Sequence, residues 1–203
     1  MSARLSCACL VACAALAGPA TADAAQRDPW QEPRAALGVW VGGLLFEPVD
    51  DPDTGTWFLS DQVALGGELG VRVADGAHLT LDLGYTRTPY DRLGAAVLGS
   101  GDADVLTTHV GIRYQVFRGP GVAYSPFGFV GLGAIHYRLS ELRDFDTDFA
   151  VGSGAGLDIR LGGSLRLQLG IYQFLAFHQR PGGRGRANVS RQTALRAGLR
   201  WRL

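Results

Sequence analysis

Lysine is absent from this chain of 203 residues, and the three cysteines (Cys7, Cys9 and Cys13) all lie near the start. The rest of the chain can therefore form neither disulfides nor cysteine metal sites. The formal net charge is zero, so no overall field attracts nucleic acid. No stretch contains 18 uninterrupted apolar residues, which excludes a transmembrane helix. We predict no nucleic-acid partner, no cofactor and no metal site.

Residues 1–24 have the pattern of a cleaved secretory signal peptide. One arginine precedes an apolar stretch, residues 5–17, which is too short to span a bilayer as a helix. A small-x-small cleavage site follows at residues 22–24. The residues before Cys13 also fit the pattern that precedes a lipidated cysteine, so lipidation there is the alternative. Residues 25–34 are polar with two prolines, and we interpret them as a periplasmic lead-in.

The remaining chain repeats segments in which apolar and polar residues alternate, the period of a β-strand. In residues 77–87, Leu79, Leu81 and Leu83 alternate with His78 and Asp82. Eight such segments occur, at residues 35–46, 61–73, 77–87, 106–117, 125–137, 148–161, 164–174 and from about 191 onward. Most span about 10 to 13 residues, whereas a strand of a soluble protein averages about 5 to 6. A tilted strand that crosses a bilayer needs about 9 to 11 residues.

The connections between these segments alternate in length. Long ones occupy residues 47–60, 88–105, 138–147 and 175–190, and short ones occupy residues 74–76, 118–124 and 162–163. Long loops at one end and tight turns at the other are typical of outer-membrane barrels. We therefore predict an all-β fold, an eight-stranded antiparallel up-and-down transmembrane β-barrel over residues 35–203. The protein would lie in the outer membrane of a Gram-negative bacterium, with its long loops extracellular and its termini periplasmic.

The two faces of the strands predict which side looks outward. One face is rich in Leu and Val, and the other carries glycines and scattered charges. A narrow lumen needs small inward residues, and nine glycines fit there: Gly66, Gly70, Gly84, Gly111, Gly152, Gly154, Gly156, Gly170 and Gly198. The apolar face would then contact lipid. Five aromatic residues near strand ends are candidates for an interfacial belt: Tyr85, Tyr114, Tyr137, Phe149 and Trp201. A soluble ligand-binding barrel is the alternative.

Three segments resemble the later strands of outer-membrane protein A-like and opacity-type eight-stranded barrels. They are YSPFGFVGLG (124–133), FAVGSGAGLDIRL (149–161) and the terminal GLRWRL (198–203). The resemblance implies a small integral outer-membrane protein with a structural, surface-antigen or adhesin-like role. It also implies that the last strand carries a signal for the barrel-assembly machinery, formed here by Leu199, Trp201 and Leu203. Leu203 stands where this family usually ends in phenylalanine.

Charged residues on the inward face predict a plugged lumen. The proposed charge network comprises Glu68, Arg72, Asp82, His109, Arg113, Asp158, Arg160, Arg196 and Arg200. Unpaired charges in a narrow interior are costly, so these residues are expected to form ion pairs and hydrogen bonds. Because arginines outnumber carboxylates in this set, a narrow anion-selective pore is an alternative.

Enzymatic activity is not expected, although a lipid A-modifying hydrolase is a further alternative. Its best local candidates would be His178 and Ser190, but the segment between them lacks the close His-x-Ser pairing associated with lipid A deacylases. We interpret it as a solvated surface loop. Arg180, Arg184 and Arg186 in this loop are candidates for contact with lipopolysaccharide phosphates.

A neighbouring acidic loop contains Glu47, Asp50, Asp51 and Asp53, and it carries only a weak signal for a divalent cation. The alternative is that this loop forms ion pairs with the loop that carries Arg180, Arg184 and Arg186. The expected partners of the protein are membrane lipid, lipopolysaccharide and the assembly machinery, and we expect a monomer.

Overall fold

The computed structural model describes residues 34–51, 55–93, 98–117, 122–139, 145–178 and 188–203, and its regular structure there is entirely β. The strands are β1 (Ala35–Phe46), β2 (Val49–Asp51), β3 (Gly55–Leu59), β4 (Gln62–Ala74), β5 (Ala77–Leu93), β6 (Leu98–Gln115), β7 (Tyr124–Leu139), β8 (Phe145–Gly162), β9 (Leu165–His178) and β10 (Asn188–Arg202). No helix in the described ranges is long and apolar enough to cross a membrane. The predicted signal peptide and nearly all of the lead-in lie outside these ranges.

Eight long strands, β1 and β4 to β10, form a closed antiparallel barrel in which each strand pairs with the next. Closure comes from β10, which pairs with β1 from Ala36↔Arg202 to Phe46↔Gln192. The remaining strands, β2 and β3, form a small hairpin, and β3 extends the sheet beside the far part of β5. The predicted eight-stranded up-and-down barrel is therefore confirmed.

The two ends of the barrel differ in their connections. At the short-turn end, the connections are residues 75–76, 116–123 and 163–164, and β1 begins and β10 ends there. Gly76 and Gly163 have φ values of 71° and 49°, which glycine adopts without the steric cost of a Cβ. The opposite end, here called the loop end, carries the connections 47–61, 94–97, 140–144 and 179–187.

Several strands extend further than the sequence predicts. The prediction of a long connection at residues 88–105 is therefore mostly wrong. In the structure β5 runs to Leu93 and β6 begins at Leu98. The apolar alternation stops before this extension, but backbone pairing continues, stabilised by polar cross-strand contacts such as that of Arg87 with Asp102. Likewise, residues 175–178 and 188–190 belong to strands rather than to a loop.

The outward face of the barrel is apolar and the inward face is polar. On β5, Leu79, Leu81 and Leu83 are 44%, 38% and 46% exposed, whereas His78 and Asp82 between them are only 1% and 5% exposed. This polarity is the reverse of that of a water-soluble barrel, and it presents a hydrocarbon-like surface to the surroundings. The prediction about which face looks outward is thus correct.

Glycines on the inward face provide space for large aromatic side chains. A Cβ on Gly66 or Gly84 would collide with the ring of Trp40, which is buried inside the barrel. The nine glycines predicted to face inward are all buried or half-buried. Among the predicted belt residues, Tyr85, Tyr114 and Phe149 face outward, but Tyr137 does not. It is buried in the interior, where its hydroxyl accepts a hydrogen bond from Gln192, so its assignment to the belt is wrong.

Candidate functional site

The structure brings most of the predicted charge network together inside the barrel. Seven of its nine residues are buried: Glu68, Asp82, His109, Arg113, Asp158, Arg196 and Arg200. Arg72 is half-buried and Arg160 is exposed. Both lie beside short turns, where the ladders β4–β5 and β8–β9 become irregular, so their side chains reach solvent. Arg160 is therefore not part of the buried charge network.

One part of the network lies toward the short-turn end and is centred on Arg113. Its guanidinium lies 3.3 Å from Glu68 and 2.6 Å from Asp158. Arg200 contacts the same two carboxylates, at 3.1 Å to Glu68 and 3.8 Å to Asp158. Gln115 donates a hydrogen bond to Asp158. Two arginines and two carboxylates thus form a closed cluster that links β4, β6, β8 and β10.

The second part lies nearer the middle of the barrel and is centred on Asp82. Arg196 donates a hydrogen bond of 2.9 Å to one oxygen of Asp82, and the indole N–H of Trp40 donates one of 2.9 Å to the other. The guanidinium of Arg196 also lies 3.8 Å from the centre of the Trp40 ring and 4.6 Å from that of Tyr172. This charged pair is therefore surrounded by aromatic rings, including Phe174.

These two clusters together, here called the plug, contain three arginines (Arg113, Arg196 and Arg200) and three carboxylates (Glu68, Asp82 and Asp158). The formal charges balance within this set, since the two other predicted arginines, Arg72 and Arg160, are partly or largely exposed. Outside the set, Arg166 is a further buried arginine. The excess of arginine over carboxylate that suggested an anion-selective lumen is therefore reduced but not removed.

Sequence reasoning did not assign several residues that complete the plug. They are Trp40, Gln115, Gln168 and Tyr172. Strand parity could have found them, since each alternates in phase with the charged or glycine positions of its strand. Their neutral side chains gave no separate signal.

A smaller polar cluster lies inside the loop end. Ser190 Oγ is 2.7 Å from His178 Nε2, and His178 Nδ1 is 2.5 Å from Asp148 Oδ2. The sequence predicts His178 and Ser190 to lie in a solvated loop, and this is wrong, because both are strand residues. Asp148 was not singled out from the sequence. Its position on the inward side of β8, in phase with Gly152 and Asp158, was the available signal.

Exposed ion pairs occur near the loop end of the barrel. On the outward face, Arg87 lies 2.7 Å from Asp102, and this hydrogen bond raises the pKa of the Arg87 guanidinium above its usual value. Where β1 and β10 emerge, Arg191 lies 3.8 Å from Glu47. The proposed lipopolysaccharide contacts, Arg180, Arg184 and Arg186, and the acidic Asp53 lie outside the described residues. Among the described residues, no group of three His, Cys, Asp or Glu side chains could hold a metal ion.

Comparison with known proteins gives the same architecture. The chain superimposes on Neisserial surface protein A with a TM-score of 0.57 and 17% identity, covering 85% of this chain and 99% of that one. For the outer membrane protein OprG of Pseudomonas aeruginosa, the TM-score is 0.59 at 14% identity, covering 86% and 99%. At these identities the likeness concerns the fold alone. No curated protein sequence matches significantly.

A family model described as the outer membrane protein beta-barrel domain matches residues 8–202. That range includes every strand of the barrel. The match agrees with the apolar outer surface, the closed eight-stranded sheet and the buried polar interior. The chain is a member of the outer membrane protein beta-barrel domain family.

Proposed function

We propose that this protein is a closed, non-conducting barrel of the outer membrane with a structural and surface role, as a surface antigen or an adhesin. In this arrangement the plug seals the bore, and the loop end faces the cell exterior. The short turns and both ends of the barrel domain face the periplasm.

The observation that carries the proposal is the burial of the charged side chains inside the barrel. Arg113 and Arg200 are each 1% exposed and Asp158 is 0% exposed. In an open aqueous pore, the charges that line the passage would be in contact with water. Here they contact one another and the aromatic rings instead.

The barrel size supports the same conclusion. An eight-stranded barrel has an interior only wide enough for side chains to fill it. Trp40, Phe127, Tyr172 and Phe174 form one buried cluster across that interior, next to the charged residues. A conducting state would require these aromatic and charged groups to leave their positions together.

The ends of the strands support the proposed orientation. Short turns are typical of the periplasmic side of such barrels and longer loops of the extracellular side. Arg180, Arg184 and Arg186 would then be near lipopolysaccharide phosphates. The assembly signal at Leu199, Trp201 and Leu203 would remain accessible to the assembly machinery from the periplasm.

Planar lipid bilayers test the proposal against the anion-selective pore. The purified, folded barrel is expected to give no stable conductance steps at moderate voltage. The double variant Trp40→Ala/Arg196→Ala removes the centre of the plug and should give small steps if it folds, which heat-modifiable migration on a gel would verify. Arg87→Ala, on the outer face, is the matched control and should remain silent. Stable, anion-selective steps from the unaltered protein would refute a closed barrel.

A further inference from the structure

The polar cluster at the loop end has a role that the plug does not account for. Asp148, His178 and Ser190 lie on three consecutive strands, β8, β9 and β10. His178 pairs with Asn188 and Ala176 pairs with Ser190, so His178 and Ser190 are diagonal neighbours on the same face. Diagonal neighbours are within reach of long side chains. The register itself therefore brings these groups together.

The geometry is that of a nucleophile, a base and an orienting carboxylate. Ser190 Oγ lies 2.7 Å from Nε2 of His178, within hydrogen-bonding distance. On the other side of the ring, Nδ1 lies 2.5 Å from Asp148 Oδ2, although the alignment falls short of a hydrogen bond. A small rotation of the ring would direct its N–H at the carboxylate. Catalytic hydrogen bonds are often poorly aligned before substrate binds.

The degree of burial also matches this arrangement. The Asp148 side chain is 1% exposed, whereas that of His178 is 20% exposed. A buried carboxylate that faces an imidazole fixes its tautomer and stabilises its charged form. Such clusters are recognised by geometry and roles, because the order of the three residues along the chain differs between folds.

We propose that Ser190, His178 and Asp148 form a hydrolytic site for small carboxylic esters that enter the barrel from the loop end. This inference goes beyond the proposed closed-barrel function, because the site lies on the loop-end side of the plug. Ser190 and Arg196 are six positions apart on β10, about 20 Å of extended strand. The plug can therefore stay closed while the site works.

The reaction has two steps. Ser190 Oγ attacks the ester carbonyl while His178 Nε2 takes the serine proton, and the ester C–O bond breaks. The departing alcohol leaves with the proton from His178. Water then attacks the acyl-serine with His178 as base, which releases the carboxylic acid and restores Ser190. Asp148 acts as a positioning residue throughout.

The direction of the side chains decides the class of substrate. Ser190 and Asp148 are 3% and 1% exposed and face the interior, while their neighbours Val189 and Phe149 face outward toward lipid. A membrane lipid would have to leave the bilayer and enter the barrel to reach them. A small ester in aqueous solution would only need to approach the partly exposed His178 from the loop end, which favours a soluble substrate over lipid A.

A fluorophosphonate probe tests the nucleophile without knowledge of the natural substrate. The folded protein in detergent should form one covalent adduct, located at Ser190 by peptide mass spectrometry. Ser190→Ala should abolish this adduct. Ser125→Ala is the matched control, since Ser125 is also buried and inward-facing but donates a hydrogen bond to the Phe117 carbonyl at the short-turn end. A folded barrel that forms no adduct at Ser190 would overturn the proposal.

Hydrolysis of p-nitrophenyl acetate tests the remaining assignments. Turnover should fall at least about 100-fold in His178→Gln, since the triad members act as a unit. Asp148→Asn should lower kcat while leaving KM unchanged, and Asp148→Glu should restore part of it, which a merely structural role would not produce. Heat-modifiable migration verifies that each variant is folded. Hydrolysis of esters in phospholipid vesicles without turnover of the soluble ester would refute the assignment of a soluble substrate.

Discussion

Removal of the Asp158 carboxylate should destabilise the barrel strongly. In Asp158→Ala, Arg113 loses a partner at 2.6 Å and Arg200 loses one at 3.8 Å, and both arginines are 99% buried with only Glu68 left to balance them. At 2.6 Å and an effective dielectric constant of about 20, the attraction between unit charges is about 6 kcal/mol. Desolvation offsets part of it, so we expect the free energy of unfolding to fall by about 3–5 kcal/mol.

A double-mutant cycle separates the effect of the Arg113–Asp158 ion pair on stability from the effect of lost side-chain volume. Arg113→Met/Asp158→Leu removes both charges with similar bulk, and it should recover most of the stability that Asp158→Leu loses. The assay is reversible urea unfolding in lipid vesicles, followed by tryptophan fluorescence. The matched control is Arg87 with Asp102, a pair of almost equal length, 2.7 Å, whose side chains are 62% and 50% exposed. Its coupling should be much smaller, because water screens exposed pairs.

Two outcomes would refute this reasoning. One is a loss below about 1 kcal/mol in Asp158→Ala, which would mean that the arginines are hydrated rather than buried. The other is additivity of Arg113→Met and Asp158→Leu, which would show that the two residues do not interact.

Two further predictions concern the packing of the interior. Gly66→Val places a side chain into the ring of Trp40 and should prevent formation of the heat-modifiable folded form, whereas Gly43→Ala, with nothing within 4 Å of the added Cβ, should fold normally. Tyr137→Phe removes the acceptor of the 2.7 Å hydrogen bond from Gln192, so a buried amide loses its partner. Its urea midpoint should fall by the equivalent of about 1–3 kcal/mol, and an unchanged midpoint would mean that water reaches the amide.

The alternation of polarity predicts the barrel because it reports directly on the two environments of each strand. His78 and Leu79 are adjacent in the sequence and therefore face opposite sides of the sheet, and they differ in exposure as the alternation predicts. The same rule fails at strand ends, where lipid no longer selects the outward residue. Arg160 continues the inward phase of Asp158, yet it lies beside a ladder irregularity and reaches solvent.

The loop-end cluster was harder to predict, because it depends on register between strands. His178 and Ser190 were recognised by residue type, but their contact follows from the pairing of β9 with β10. Asp148 is 30 positions before His178 in the sequence, and the antiparallel pairing of β8 with β9 places it beside the imidazole. Alternation within a strand carries no information about which residue of the next strand lies opposite.

The seam between β1 and β10 constrains the order in which the protein can fold. Of the eight pairings in the barrel, seven join strands that follow one another along the chain, and the eighth joins Ala36 to Arg202. That last contact joins residues separated in sequence by most of the domain, and contacts between such distant residues form slowly. Until it forms, β1 and β10 both expose unpaired edges that invite aggregation. Correct folding of this barrel therefore depends on keeping the edges of β1 and β10 from pairing with other chains until they meet each other.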